Sequence, residues 1–263
     1  MKRLTSPFGW VGGKSQLAPE IINMMPKHRL YVEVFGGALN VLYSKRQLKG
    51  RHAEVVNDIN GNLVNLHRII RSKPQSLSAV LNKMLISRDL FNDIAAGRSN
   101  PKNNIERAAH YYYLLTMSFG AKGDNFGMNA KSRSPKDIYK SFHTWSNRLK
   151  FVTIENMSFE KLIKEYDSED AFFYCDPPYV DTESYYKDTG GFGEKEHTLL
   201  AETLAAAKGK FLVSYNDCEL VRELYKGFEI VTTKPLNYTL ASHSTKEVRE
   251  VYIMNYKRDG LLF

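Results

Sequence analysis

The chain contains very little cysteine. Cys175 and Cys218 are the only two in 263 residues, so cysteine alone can form neither a disulfide framework nor a multi-thiolate metal centre. Both lie in or beside apolar segments, where thiols behave as small hydrophobic side chains. We therefore expect two buried, reduced thiols in a reducing compartment.

Long apolar segments are also missing. No stretch approaches the roughly 20 apolar residues that a membrane-spanning helix requires. Residues 1–7 lack the apolar core of a signal peptide. The sequence therefore predicts a cytoplasmic protein that does not enter a membrane.

Acidic residues are outnumbered by basic ones. The chain has 29 Asp and Glu against 37 Lys and Arg, a formal net charge of +8. Such an excess favours a polyanionic partner, because basic side chains bind phosphates and release counterions. Residues 121–150 hold seven Lys or Arg and two Asp, a net charge of +5. More than half of the chain's excess positive charge therefore lies in this segment.

Short apolar strands alternate with helical stretches, which predicts an α/β sheet. The predicted strands are 31–35, 53–56, 151–154, 171–175, 211–215, 228–232 and 248–255, and the predicted helices include 15–25, 38–47, 194–208 and 217–225. Residues 74–150 break the alternation, since apolar spacing at 77–85, 90–96 and 105–119 is helical. We predict an α/β domain of residues 1–73 and 151–263, interrupted by a helical subdomain of residues 74–150.

The Asp-Pro-Pro-Tyr motif, residues 176–179, follows the apolar strand 171–175 directly. Proline has no backbone N–H, so the two prolines end the strand and leave nearby carbonyls free to accept hydrogen bonds. Asp176 and the Pro177 carbonyl could hold a planar amine by its edge while the Tyr179 ring stacks on its face. The alternative is a turn that only ends the strand.

A second group of residues is typical of a nucleoside cofactor site. Glu33 lies in a strand that enters the glycine turn Gly36–Gly37, and Asp58 follows the next strand. In doubly wound sheets a carboxylate in this position binds ribose hydroxyls. The full Gly-x-Gly-x-x-Gly pattern is absent, and an acid at a strand end is often only a solvated or capping residue.

The segment Trp10-Val11-Gly12-Gly13-Lys14 precedes a predicted helix. Its glycines permit close approach of a ligand to the backbone, while Trp10 offers a stacking face and Lys14 a cation. It lacks the spacing of a phosphate-binding P-loop. An N-terminal turn anchored by a tryptophan remains the alternative.

Together these motifs resemble the Dam-type DNA adenine-N6 methyltransferases, in which the cofactor motif precedes the target-recognition region and then the catalytic motif. The matching stretches are residues 10–14, 32–38, 57–60 and 176–179, with weaker matches at 214–217 and 250–256. They occur in the family's order and cover both ends of the chain. The resemblance implies a Rossmann-like fold of S-adenosylmethionine-dependent methyltransferases with an inserted, mainly helical target-recognition subdomain.

The resemblance also implies a cofactor and a set of site residues. S-adenosylmethionine would be the methyl donor, and no metal is expected. The implied cofactor-binding residues are Trp10, Lys14, Glu33, Gly36, Gly37, Asp58 and Asp176. The implied catalytic residues are Asp176, Pro177 and Tyr179, which would hold an adenine flipped out of duplex DNA.

The implied DNA-binding residues lie in the basic segment: Lys122, Asn125, Asn129, Lys131, Arg133, Lys136 and Lys140. The lysines and arginines would contact phosphates, and some of Asn125, Asn129 and Arg133 could contact base edges. The alternative is a basic face that is only solvated. Members of the family that methylate GATC carry a longer hairpin here, so the resemblance does not extend to that specificity. The partner would be double-stranded DNA, bound by a protein that is a monomer in solution and could dimerise on DNA.

Residues 180–197 could close over a flipped base, because glycines such as Gly190 and Gly191 permit movement; the alternative is a flexible surface loop without that role. His197 is expected near the start of the following helix. Three alternative functions stay open: an adenine-N6 methyltransferase of RNA, a catalytically inactive DNA-binding relative, and a protein-glutamine methyltransferase. The last is disfavoured by Asp176, because those enzymes resemble Asn-Pro-Pro-Tyr at this motif.

Overall fold

The computed structural model describes residues 3–47, 50, 52–127, 138–180, 191–233 and 249–257. The helices in these residues are α1 (Ala18–Met24), α2 (Asn40–Ser44), α3 (Gly61–Ser72), α4 (Pro74–Leu81), α5 (Arg88–Ala95), α6 (Asn104–Met117), α7 (His143–Leu149), α8 (Phe159–Tyr166), α9 (Glu194–Ala206) and α10 (Glu219–Leu224). The strands are β1 (Leu30–Glu33), β2 (Ala53–Asn57), β3 (Val152–Glu155), β4 (Ala171–Cys175), β5 (Lys210–Asn216), β6 (Glu229–Thr232) and β7 (Glu250–Met254).

The strands form one seven-stranded sheet in the order β3-β2-β1-β4-β5-β7-β6. β1 pairs in parallel with β2 and β4, and β4 pairs in parallel with β5, whereas β7 is antiparallel to β5 and β6. The chain order reverses between β1 and β4, where doubly wound sheets bind their ligands. The predicted Rossmann-like α/β fold is confirmed.

β4 occupies the middle of the core. All five of its residues are buried, and in the sheet Phe173 lies between Val32 of β1 and Phe211 of β5. A parallel strand covered on both faces needs a continuous apolar sequence, which residues 171–175 provide. The strand therefore sets its carboxyl end, where the Asp-Pro-Pro-Tyr motif begins, in a closely packed environment.

The residues fall into two compact units. Unit 1 comprises Met1–Ile22, Gly37–Gln47 and Asn60–Ile154, and unit 2 comprises Asn23–Gly36, Leu48–Ile59 and Glu155–Phe263. Within unit 1, α3 packs against α6 and α7, and α4 and α5 also pack against α6. The predicted helical segments at 77–85, 90–96 and 105–119 correspond to α4, α5 and α6. The subdomain boundaries at residues 74 and 150 stay a prediction.

One expectation about the cysteines is wrong. Cys175 is buried within β4, but Cys218 is only partly buried. Cys218 occupies the N-cap position of α10, where the chain enters the helix near the surface. Its apolar neighbours in sequence did not indicate that position.

Candidate active site

The Asp-Pro-Pro-Tyr motif begins directly after β4, as predicted. Pro177 and Pro178 are buried, while Asp176 and Tyr179 are partly exposed. Ser214 of β5 donates a hydrogen bond from Oγ to Oδ1 of Asp176 at 2.9 Å. The Asp176 side chain is thus anchored to the neighbouring strand while part of its surface remains accessible.

β5 also holds the residue that follows the motif. The Asn216 side chain accepts a hydrogen bond from the Val180 amide at 3.1 Å and donates one to the Val180 carbonyl at 3.3 Å. The Tyr215 ring lies 6.3 Å from the Tyr179 ring. Residues 214–217 match the family only weakly, and neither Ser214 nor Asn216 is among the site residues predicted from the sequence. Ser214 and Asn216 are two residues apart in β5, so their side chains lie on the same face of the sheet. That spacing was the signal in the sequence that could have identified them as a pair.

Three carboxylates lie at the carboxyl ends of adjacent strands in unit 2. In the sheet, Glu33 at the end of β1 pairs with Val56 on one side and Tyr174 on the other. Asp58 and Asp176 each come two residues after those partners. Since neighbouring parallel strands are about 4.8 Å apart, the sheet brings the three predicted acids to the same edge.

Glu33 is almost completely buried and accepts a hydrogen bond from the Tyr31 hydroxyl at 2.8 Å. Burial, and after it the charge of Glu33, raises the pKa of Tyr31 well above its usual range. The phenol therefore stays a donor to the carboxylate at neutral pH. This contact holds the Glu33 side chain at the end of β1.

Asn57 stabilises the strand end beside the glycine turn. Its carbonyl accepts the Gly36 amide at 2.7 Å, and its side-chain nitrogen donates to the carbonyls of Val34 and Met157 at 3.0 and 3.1 Å. The next residue, Asp58, is partly exposed. The predicted carboxylate thus follows a rigidly bonded asparagine.

In unit 1, Trp10 packs closely on Gly37. Gly37 has φ +49°, and a Cβ at this position would lie 2.8 Å from the Trp10 indole nitrogen. Glycine is therefore required both for its backbone conformation and for contact with the ring. Lys14 is buried and donates from Nζ to the Gly12 carbonyl at 3.2 Å.

His67 of α3 was missed by sequence analysis. Its Nε2 lies 2.8 Å from the Gly37 carbonyl, so this nitrogen carries the proton and donates. Burial lowers the pKa of His67 to about 4, and the imidazole is neutral at pH 7. His67 thereby fixes the peptide of the predicted cofactor turn from 30 positions away in the chain.

The predicted DNA-binding residues are described only in part. Lys122 and Asn125 are exposed in the loop after α6, where the Phe119 amide donates to the Asn125 carbonyl at 2.8 Å. Phe119 itself is 61% exposed. Lys140 donates from Nζ to the Pro7 carbonyl at 3.0 Å. Four further predicted residues lie outside the described residues: Asn129, Lys131, Arg133 and Lys136.

The expected position of His197 is confirmed, since it lies in the first turn of α9. Its side chain is buried, and Nδ1 lies 2.6 Å from the Tyr215 hydroxyl. Most of the predicted closing segment, residues 181–190, lies outside the described residues.

Neither metal ligands nor membrane helices are found in the part of the chain that the structure describes. No three or more His, Cys, Asp or Glu side chains there are grouped so that they could hold a metal ion. None of the helices described above is both long and apolar enough to cross a membrane.

Comparison with known proteins places the chain in a family. Residues 10–237 match the profile of the D12 class N6 adenine-specific DNA methyltransferases. Type II methyltransferase M1.LlaDCHI of Lactococcus lactis subsp. cremoris is 29% identical, covering 94% of each chain. Type II methyltransferase M.CviBI of Paramecium bursaria Chlorella virus NC1A is 25% identical, covering 92% of this chain and 94% of its own. A DNA adenine methylase of Vibrio cholerae serotype O1 is 24% identical, covering 89% of each.

The family profile spans most of the chain, including the N-terminal motif, the strand-end acids and the Asp-Pro-Pro-Tyr motif. The predicted activity, cofactor and DNA substrate are thereby confirmed. The chain belongs to the D12 class of N6 adenine-specific DNA methyltransferases, enzymes that transfer a methyl group from S-adenosylmethionine to adenine in DNA.

Proposed function

We propose that Asp176, the Pro177 carbonyl and Tyr179 hold the target adenine, and that this adenine comes from double-stranded DNA. The observation that carries the proposal is the anchored Asp176 carboxylate, which follows β4 beside the point where the chain order of the sheet reverses. Ligands of doubly wound sheets bind at that point.

The residues of unit 2 fit S-adenosylmethionine. Asp58 follows β2, where a carboxylate accepts hydrogen bonds from ribose hydroxyls, and Glu33 is held at the end of β1. The acidic strand ends also suit the positive sulfonium. When bound, this cofactor supplies an electrophilic methyl group. Trp10, Lys14, Gly36 and Gly37 belong to the proposed cofactor set on the family resemblance.

Asp176 and the Pro177 carbonyl bind the nucleophile of the reaction, the N6 amine of adenine. The lone pair of adenine N6 is delocalised into the ring, so the amine is a poor nucleophile. Two acceptors that bind both N6 protons favour a pyramidal nitrogen and orient its lone pair for attack. This is catalysis by orientation and electrostatics. The proton is released after methylation, to Asp176 or to water.

Tyr179 stabilises the adenine outside the helix. The N6 atom lies within a base pair, so the nucleotide must be flipped out before it can react. The partly exposed Tyr179 ring would replace stacking that the base loses on flipping. Val180, held by Asn216, keeps the backbone after this ring in place.

The basic segment would bind the DNA backbone. Lys122 and Asn125 are exposed in the loop after α6, and Lys140 donates a hydrogen bond to the Pro7 carbonyl. The other four predicted contacts lie outside the described residues. The proposal also includes a cytoplasmic protein that is a monomer in solution and could dimerise on double-stranded DNA. Two relatives are named Type II methyltransferases, and for that reason the proposal includes a biological role in restriction–modification.

The test is methylation by purified protein carrying Asp176→Ala. The protein is first expressed in a methylation-free host, and single-molecule sequencing of that host's DNA recovers the methylated site. Transfer of labelled methyl groups to a duplex with this site is then measured, with structured RNA as a second substrate.

Asp170→Ala is the matched control, because Asp170 precedes the same strand and its carboxylate is solvent-exposed. We expect Asp176→Ala to abolish transfer and Asp170→Ala to retain it. Wild-type turnover by Asp176→Ala would refute the assignment, and faster methylation of RNA would refute the duplex substrate.

A further inference from the structure

We propose that Ser214 is a positioning residue for Asp176, and that Tyr174 acts through it in a chain of two hydrogen bonds. The inference rests on the catalytic role proposed for Asp176. Ser214 is completely buried in β5, and its Oγ lies 2.9 Å from Oδ1 of Asp176 and 3.2 Å from the Tyr174 hydroxyl. Neither Ser214 nor Tyr174 belongs to the site predicted from sequence.

The direction of the two hydrogen bonds follows from the charges. An ionised carboxylate only accepts hydrogen bonds, so the Ser214 hydroxyl donates to Asp176. The Cys175 carbonyl, the other acceptor near Ser214 Oγ, is farther away at 3.5 Å. With its proton directed at Asp176, Ser214 offers its lone pairs to Tyr174, whose hydroxyl donates to it.

The chain depends on Tyr174 keeping its proton. Tyr174 is buried, and burial, followed by the charge of Asp176, raises the pKa of its phenol well above the usual range. The phenol is therefore a permanent donor at neutral pH. A donor that cannot ionise holds the Ser214 hydroxyl in one rotamer, and that rotamer points the proton at the carboxylate.

The consequence for catalysis is geometric. Asp176 is partly exposed and stands at the end of a strand, where a carboxylate without a partner could rotate about its χ angles. The two acceptors of the amine must be aligned together for the lone pair to point at the methyl donor. A displacement near 1 Å in such an arrangement can reduce the rate by about 100-fold. Ser214 prevents that displacement without touching the substrate.

The test compares kcat and KM of Ser214→Ala, Ser214→Thr and Tyr174→Phe in transfer of labelled methyl groups to duplex DNA. We expect Ser214→Ala to lower kcat on the order of 10- to 100-fold, with the KM values for DNA and S-adenosylmethionine within about twofold of wild type. Ser214→Thr retains the hydroxyl and should restore most of the rate. Tyr174→Phe removes one oxygen and should lower kcat several-fold.

Asn255→Ala is the control for loss of stability alone. Asn255 accepts the Phe211 amide at 2.9 Å and donates to the Gly209 carbonyl at 3.0 Å, so it holds the opposite end of β5. This variant should lower the melting temperature and leave kcat unchanged. A fall in kcat for Asn255→Ala equal to that of Ser214→Ala would overturn the positioning role.

The double variant Tyr174→Phe/Ser214→Ala tests the chain itself. If Tyr174 acts through Ser214, the double variant has the same kcat as Ser214→Ala, whereas independent effects would multiply. Multiplied effects, or a wild-type kcat for Ser214→Ala, would refute the inference. If Ser214→Ala does not fold, Tyr174→Phe alone tests the chain of hydrogen bonds, and a wild-type kcat for Tyr174→Phe would refute the inference. If Asp176→Ala remains active, the proposed function fails; if it is inactive while Ser214→Ala has wild-type kcat, only the positioning role fails.

Discussion

Gly37→Ala should reduce both the stability of the protein and its affinity for S-adenosylmethionine. Gly37 has φ +49°, and placing an alanine in the left-handed region costs about 1–2 kcal/mol. The new Cβ would also lie 2.8 Å from the Trp10 indole nitrogen. Because a normal contact is about 3.5 Å, the ring would have to move by roughly 0.7 Å. Overpacking of this kind costs a further 1–3 kcal/mol or so.

Gly97→Ala separates the two effects. Gly97 also lies in unit 1 and has φ +68°, but a Cβ there would meet nothing within 4 Å. It should therefore show the backbone strain without the clash. At about 2–4 °C per kcal/mol, Gly37→Ala should melt roughly 2–12 °C below Gly97→Ala.

Calorimetry and thermal unfolding provide the measurements. We expect Gly37→Ala to bind S-adenosylmethionine at least tenfold more weakly than wild type, and Gly97→Ala to bind it normally. If the two variants melt together and bind the cofactor equally well, Trp10 does not depend on a glycine at position 37, and the proposed cofactor role of this turn is refuted.

Three further predictions concern substrate and pH. Tyr179→Ala should raise the KM for DNA about tenfold, since stacking is worth about 1–3 kcal/mol per base. Tyr179→Phe keeps the ring and should have the KM of wild type. Equal KM values for Tyr179→Ala and wild type would exclude stacking. Lys122→Ala should reduce the slope of log K against log salt by about 1, and Lys226→Ala, whose lysine pairs with Glu223, should leave it unchanged. The lowered pKa of His67, about 4, means that the unfolded chain takes up a proton that the folded protein does not between about pH 6.5 and 4. Stability should therefore fall by about 3 kcal/mol as pH drops through that range, and His67→Gln should flatten this fall in urea titrations.

Much of the fold could be predicted because it is encoded locally. β4 begins and ends at the predicted residues, because an apolar run of five residues is bounded by Asp170 and Asp176, and these two acids mark its ends. α7 and α8 were not predicted, because helices of seven and eight residues are marginal alone and depend on packing. α3 was also missed, although its apolar spacing at Leu63, Leu66 and Ile70 is helical.

The sequence by itself determined the chemical groups: the strand-end acids, the glycine turn and the Asp-Pro-Pro-Tyr motif, whose order along the chain identified the family. Only the tertiary structure decided how these groups are held. Asp176 is bonded to a serine 38 positions away, Val180 to Asn216 36 positions away, and Gly37 to His67 30 positions away. The physical reason is that motifs depend on local order, whereas these contacts exist only because strand pairing and helix packing bring distant segments together.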